Sequence, residues 1–195
     1  LDCPAGDHPQ RRRFAAIASA TEQMQRLVED LLQLARQDQT PLESMQRLDF
    51  GDLVEQQLTL YGDAMALRRQ GVERDLQPDV AVIGKATLLS QLVRNLLDNA
   101  HRHCPPGSQI RVRLWRRGRQ ACLELSDDGP GIAPEQLPRV FDRFWRASAD
   151  RSDGGNGMGL AIAARITEAH GGDIRVSSAP GHGCCFQVSL PLATS

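Results

Sequence analysis

Asn95, Asn99 and Arg102 stand at i, i+4 and i+7 in a stretch that reads as helix, where they would fall within about 60° of one another. Two carboxamides and a guanidinium along one face can offer carbonyl oxygens to a hard cation and positive charge to phosphate. On their own they read as the wet side of an amphipathic helix, although asparagine is a mediocre helix former and two of them one turn apart ask for a reason. Two glycine clusters supply one. Asp127-Asp128-Gly129-Pro130-Gly131 and Gly154-Gly155-Asn156-Gly157-Met158-Gly159 bracket a polar segment that carries arginines. Alternating glycines let a backbone approach a ligand closely and adopt positive φ. The second cluster opens into Leu160-Ala161-Ile162-Ala163-Ala164, and free N–H groups at a helix start fed by a glycine loop make a seat for phosphate. The first places Asp127 at the exit of a strand, Cys122–Ser126, where a carboxylate accepts hydrogen bonds. Either cluster alone would read as surface turns. Together with the Asn/Arg face they describe a nucleotide site, with the base at one end and phosphates at the other.

Competing chemistries fail on spacing. The dinucleotide fingerprint needs a third glycine where Leu160 stands, and a strand where residues 148–154 read as loop. A P-loop needs Gly-Lys-Ser/Thr, but Gly84-Lys85 is followed by Ala86. His101-Arg102-His103-Cys104 has no second pair at metal-ligand spacing. A net charge of −1 gives no reason to expect nucleic acid as a partner. No stretch approaches the roughly 18 apolar residues of a membrane helix. Five cysteines without Cys-x-x-Cys fit a reducing, cytoplasmic setting.

The elements that must position these residues follow from periodicity. Phe14, Ile17, Thr21, Met24, Val28, Leu31 and Ala35 recur at alternating spacings of three and four, a heptad seam on a helix of about 25 residues that needs partner helices. Thr40-Pro41 ends it. Leu48–Phe50 reads as a short strand. Asp52 is expected to cap a helix bearing Leu53, Val54, Leu58, Tyr61 and Met65, which stops at Gly71. Val72–Leu76 and Val80–Ile83 read as strands around the turn Gln77-Pro78-Asp79, and a second helix as Ala86 to His103. A hairpin follows, with Ile110, Val112 and Leu114 alternating with arginines that face water, then Ala121, Leu123 and Leu125. A third helix ends near His170 before Gly171-Gly172. A closing hairpin pairs Ile174–Ser177 with Cys184–Leu190 through Pro180-Gly181-His182-Gly183. These elements predict an α/β (α+β) fold, a two-layer sandwich of a mixed, mostly antiparallel sheet against three helices, preceded by one long N-terminal helix.

Four motifs then stand in a known order. Asn95-Leu96-Leu97-Asp98-Asn99-Ala100-His101-Arg102-His103 resembles the N box of two-component sensor histidine kinases, and Asp127-Asp128-Gly129-Pro130-Gly131 their first glycine box. Phe141-Asp142-Arg143-Phe144 resembles the F box, and Gly155-Asn156-Gly157-Met158-Gly159-Leu160 the second glycine box. Residues 41–195 resemble the family's catalytic ATP-binding domain. The seam helix, with Arg26 to Arg36, resembles the second helix of the dimerisation and phosphotransfer domain, so 1–40 is expected to be a remnant of that domain. The resemblance implies the Bergerat sandwich shared with gyrase, heat-shock chaperones and mismatch-repair ATPases, with ATP and magnesium as cofactors. By it, Asn99 coordinates magnesium with help from Asn95. Arg102, at a position commonly lysine in the family, touches phosphate, and His103 lies alongside. Asp127 accepts from the adenine amino group beside Gly129, Gly131 and Ile132. Gly155, Gly157, Met158, Gly159 and Leu160 line the phosphates, Arg143 and Arg146 are further phosphate partners, and Pro134–Gly154 forms a lid anchored by Phe141 and Phe144.

One position separates the subclasses. The family's ATP hydrolases carry a glutamate base one turn before the magnesium asparagine, where this chain has Asn95, which takes no proton at neutral pH. The site is therefore expected to present γ-phosphate to another nucleophile. In the family that nucleophile is a histidine on the first helix of the dimerisation domain. None of His8, His101, His103, His170 and His182 has its sequence context, so the chain reads as beginning in the loop between the two helices. The resemblance implies as partners a histidine-bearing helix, a response-regulator receiver domain and, in the full-length protein, a second copy. A non-catalytic module in which ATP gates an interaction surface uses the same binding residues and stays open at this point.

Overall fold

The computed structural model describes residues 45–146 and 157–194. The N-terminal seam helix, Gly154-Gly155-Asn156 and the end of the expected lid lie outside the described residues. Within them the order is β1 (Gln46–Asp49), α1 (Phe50–Leu67), β2 (Gly71–Leu76), β3 (Ala81–Gly84), α2 (Ala86–His103), β4 (Gln109–Arg117), β5 (Gln120–Asp127), a 3-10 turn (Leu137–Arg139), α3 (Gly159–Ala169), β6 (Asp173–Ser178) and β7 (Cys184–Pro191).

The expected start of α1 needs correction. Phe50 is the first helical residue and fully buried, not the end of a strand, and the cap is Asp49 rather than Asp52. The chain leaves β1 with Asp49 extended, at φ −76° and ψ 116°. Its Oδ1 then accepts from the N–H groups of Gly51 at 2.8 Å and Asp52 at 3.2 Å, two donors a helix start leaves open. Asp49→Ala is expected to cost about 1 kcal/mol, read as a lower urea midpoint at unchanged m-value. At the other end α1 stops at Leu67, short of the expected Gly71, with Arg69 at φ 55° making the turn.

Five strands form one sheet in the order β2-β4-β5-β7-β6, and β1 pairs with β3 in a small second sheet. The two strands around Gln77-Pro78-Asp79 do not pair with each other. β3 turns back antiparallel onto β1, whereas β2 lies parallel to β4, the connection between them carrying β3 and α2. The hairpins β4–β5 and β6–β7 are antiparallel and joined by antiparallel β5–β7. A bridge from Val82 to Leu192 ties the small sheet to the residue after β7.

Alternation decides the layers. Ile110, Val112, Leu114, Leu123, Leu125, Phe186, Val188 and Leu190 are buried with Phe50, Leu89, Leu92, Leu96, Leu97, Ile162 and Ile166 in one core between sheet and helices. The opposite face is polar. Arg113 lies 3.4 Å from Asp75 and 3.9 Å from Glu124, which accepts from Gln187 at 2.9 Å. The expected water-facing arginines thus also serve as cross-strand partners. The sheet edges are charged, β2 through Glu73, Arg74 and Asp75 and β6 through Asp173 and Arg175, paired at 2.6 Å. No described helix is long and apolar enough to cross a membrane.

Candidate functional site

The helix α2 has the bounds its periodicity predicts. Its apolar stripe is buried, and Asn95, Asp98, Asn99 and Arg102 remain half-buried on the other side. Gly159, the first residue of α3, faces this side: a Cβ there would lie 3.9 Å from Asn95 Cβ and Cγ. The fold thus brings the Asn face against the helix start that follows the second glycine cluster. Met158, fully buried, gives α3 no side-chain cap. Asn95 Nδ2 is buried without a hydrogen-bond partner among the described residues. A buried amide left so costs about 1–3 kcal/mol, which an acceptor supplied by a ligand or a water would recover.

Arg102 is engaged. Its Nε lies 2.7 Å from Asp98 Oδ2, one turn back, without the alignment of a hydrogen bond. An i, i+4 pair of this kind joins neighbouring positions on one helix. The end of α2 is held from outside. The Arg68 guanidinium donates to the carbonyls of His101 and Cys104, and Gln70 Nε2 donates to the same two at 3.2 and 3.1 Å. These carbonyls would otherwise lack partners at a helix C-terminus. Gln70 Oε1 meets His101 Nδ1 at 2.8 Å, and burial, then the nearby Arg68, lower the pKa of that imidazole. Sequence reading missed Arg68 and Gln70, which carry no local signal for this task.

The base end is built on Asp127, the last residue of β5. Its Oδ1 accepts from Gly129 N at 2.9 Å and from Cys184 N at 3.2 Å. The first glycine cluster is stitched to the β6–β7 turn: Gly181 N donates to Pro130 O, Gly183 N to Gly129 O, and Ile132 N to Ser178 Oγ at 2.8 Å. Gly131 has φ 74°, and a Cβ on it would meet Ala179 O at 2.0 Å. The turn read from sequence as a plain hairpin therefore belongs to the site, and its paired glycines were the available signal.

Gly157, at φ 67°, packs on the backbone of Phe144 and Trp145. Phe141 lies against the core, but Phe144 is 54% exposed, so of the two aromatic side chains only Phe141 reaches the core. Arg143 and His103 are exposed, Arg146 and Leu160 half-buried. Gly155 lies outside the described residues. Among the described residues no three His, Cys, Asp or Glu side chains are grouped to hold a metal.

With this geometry established, similarities to known proteins can be placed. Residues 84–194 match the model of the histidine kinase-, DNA gyrase B- and HSP90-like ATPases. The chain is 40% identical over 197 residues to the probable sensor histidine kinase TcrY of Mycobacterium tuberculosis, covering 96% of this chain and 40% of that protein. It is 32% identical over 181 residues to the histidine-protein kinase BaeS of Escherichia coli, covering 91% of this chain and 39% of that one. The chain spans less than half the length of the curated relatives it matches. Among solved structures it resembles the mycobacterial sensor histidine kinase MprB, with TM-score 0.70, 32% identity, and 77% of this chain and all of that one covered. It also resembles full-length ShkA in complex with AMPPNP, with TM-score 0.80, 25% identity, and 97% of this chain and 40% of that one covered. A likeness of fold alone, at 17% identity and TM-score 0.77, joins 99% of it to 53% of the histidine kinase ThkA, solved in complex with the response regulator TrrA.

Proposed function

Because this chain belongs to the histidine kinase-, DNA gyrase B- and HSP90-like ATPase family, we propose that it is the ATP-binding kinase core of a two-component sensor histidine kinase. It passes the γ-phosphoryl group to a histidine on a dimerisation helix for relay to a response-regulator aspartate. Residues 41–195 form the catalytic domain and 1–40 the end of the dimerisation domain, in a protein that works as a dimer with this part in the cytoplasm. The observation that carries the reading is the Asn95 Nδ2 group, a buried donor without a partner among the described residues and so suited to a phosphate oxygen, set beside the first residue of α3.

The donor set fits magnesium. That ion keeps waters and takes phosphate oxygens, so it needs only one or two hard oxygens from the protein, and Asn99 with Asn95 offers them without a carboxylate cage. When bound it would offset charge on the phosphates. The chain's own residues do the rest. Asp127 accepts from the adenine amino group. The α3 N-terminus, with Gly155, Gly157, Met158, Gly159 and Leu160, seats phosphate. Arg102, released from Asp98, and Arg143 and Arg146 answer the remaining charge. Asn95 takes no proton and leaves water unactivated, so the transfer waits for an imidazole brought in line.

The test is γ-labelled ATP with magnesium, incubated with the chain alone and with a histidine-bearing acceptor helix supplied separately. Acid-labile, alkali-stable label is expected on the added helix and not on the chain. Label on neither, with ATP still bound, would favour a binding module gated by nucleotide. Label on the chain alone would make one of its five histidines the acceptor.

A further inference from the structure

Asp127 is flanked by two cysteines remote in sequence. Cys184 reaches it through its backbone, 3.2 Å from N to Oδ1. Cys104 brings its thiol beside the carboxylate, since a single point over Gly129 lies within 3.0 Å of both Cys104 Sγ and Asp127 Oδ1. Cys104 is 1% exposed and stands at the C-terminal cap of α2, whose carbonyl end Arg68 and Gln70 hold in place. A Cβ on Gly129 would come 2.8 Å from Asp127 Oδ1 and 3.0 Å from Cys104 Sγ, so the space beside both groups admits no side chain. Burial first, and then the charge of Asp127, push the Cys104 thiol far above its usual range, which keeps it an S–H donor at neutral pH and an inert one.

We propose that Cys104 is a positioning residue for adenine: its S–H, with the N–H groups of Gly129 and Cys184, fixes the Asp127 carboxylate in the orientation that accepts from an exocyclic amine. A carboxylate has about four lone-pair sites. Three protein donors leave it capacity for a ligand N–H while holding its otherwise soft terminal torsion. The link also ties base recognition to α2, the helix that carries Asn95 and Asn99. This inference rests on the reading of Asp127 given above.

Calorimetric titration of the whole chain with ATP and with GTP tests it, on wild type, Cys104→Ser, Cys104→Ala, Asp127→Asn and the double variant Cys104→Ala/Asp127→Asn. Cys104→Ser, which keeps a donor, is expected to retain wild-type affinity for both nucleotides. Cys104→Ala should bind ATP about threefold to tenfold more weakly, leave GTP unchanged, and add nothing once Asp127 is asparagine. Wild-type ATP affinity in Cys104→Ala, equal losses for ATP and GTP, or the same loss in the Asp127→Asn background would overturn the proposal while leaving Asp127 in place. An unchanged ATP affinity in Asp127→Asn would overturn base recognition itself, and this inference with it. Near-ultraviolet circular dichroism of Cys104→Ser and Cys104→Ala separates misfolding from loss of the donor.

Discussion

Replacing Asn99 by alanine is expected to weaken binding of magnesium-ATP by at least about tenfold, roughly 1.4 kcal/mol, and to do so without destabilising the fold. Asn99 is half-buried on the polar side of α2 and contributes nothing to the apolar stripe. Alanine is the better helix former, so unfolding in urea should move, if at all, toward greater stability. Loss of affinity with unchanged or higher stability separates a ligand contact from a structural one. The same titration in chelator adds a second reading. If the carboxamide acts through the metal, wild type and variant should converge once magnesium is removed. Equal affinities in the presence of magnesium would remove Asn99 from the metal site.

Gly183→Ala should be the most damaging small substitution at the base end. The residue has φ 67°, and an added Cβ would lie 1.7 Å from Asp127 O, 2.6 Å from Asp127 C and 3.0 Å from Asp128 Cα. All three are backbone atoms, so no rotamer change relieves the overlap. Left-handed backbone costs an L-residue about 1–2 kcal/mol, and overpacking adds about 1–3 kcal/mol. The end of β5 must shift, carrying the Asp127 carboxylate with it, and adenine affinity should fall with stability. Gly181→Ala is the matched comparison: φ is 77°, yet nothing lies within 4 Å of the added Cβ. It should cost only the conformational term and spare ATP binding. Equal urea midpoints for the two variants would show that the turn does not buttress Asp127.

What was legible in the sequence was what local pattern dictates. The bounds of α2 follow from a long apolar stripe, and the two hairpins from strict alternation around glycine turns. The meeting of the Asn face with Gly159 was legible only because both motifs pointed to one ligand. Local pattern fails where partner choice is remote. Nothing in Val72–Leu76 announces that it lies parallel to β4 rather than against β3. The cap moved from Asp52 to Asp49 because the two aspartates, three residues apart, each permit a helix start, and burial of Phe50 chose between them. Cys104, Asp127 and Cys184 converge through three separate elements, so no spacing could have announced them. Asp98 was within reach, since an acid one turn before an arginine pairs on any helix.

The charged margins of the large sheet bear on how the protein behaves in bulk. An open sheet exposes unpaired N–H and C=O groups along its outer strands, and another chain can extend it there into a fibril. Here β2 brings Glu73, Arg74 and Asp75 to one margin and β6 brings Asp173 and Arg175 to the other. A second copy docking edge to edge would have to strip water from these groups and set like charges opposite one another. With a net charge of only −1, long-range repulsion does little to keep molecules apart. The barrier to edge-to-edge pairing therefore comes from these few short-range charges rather than from the net charge of the chain.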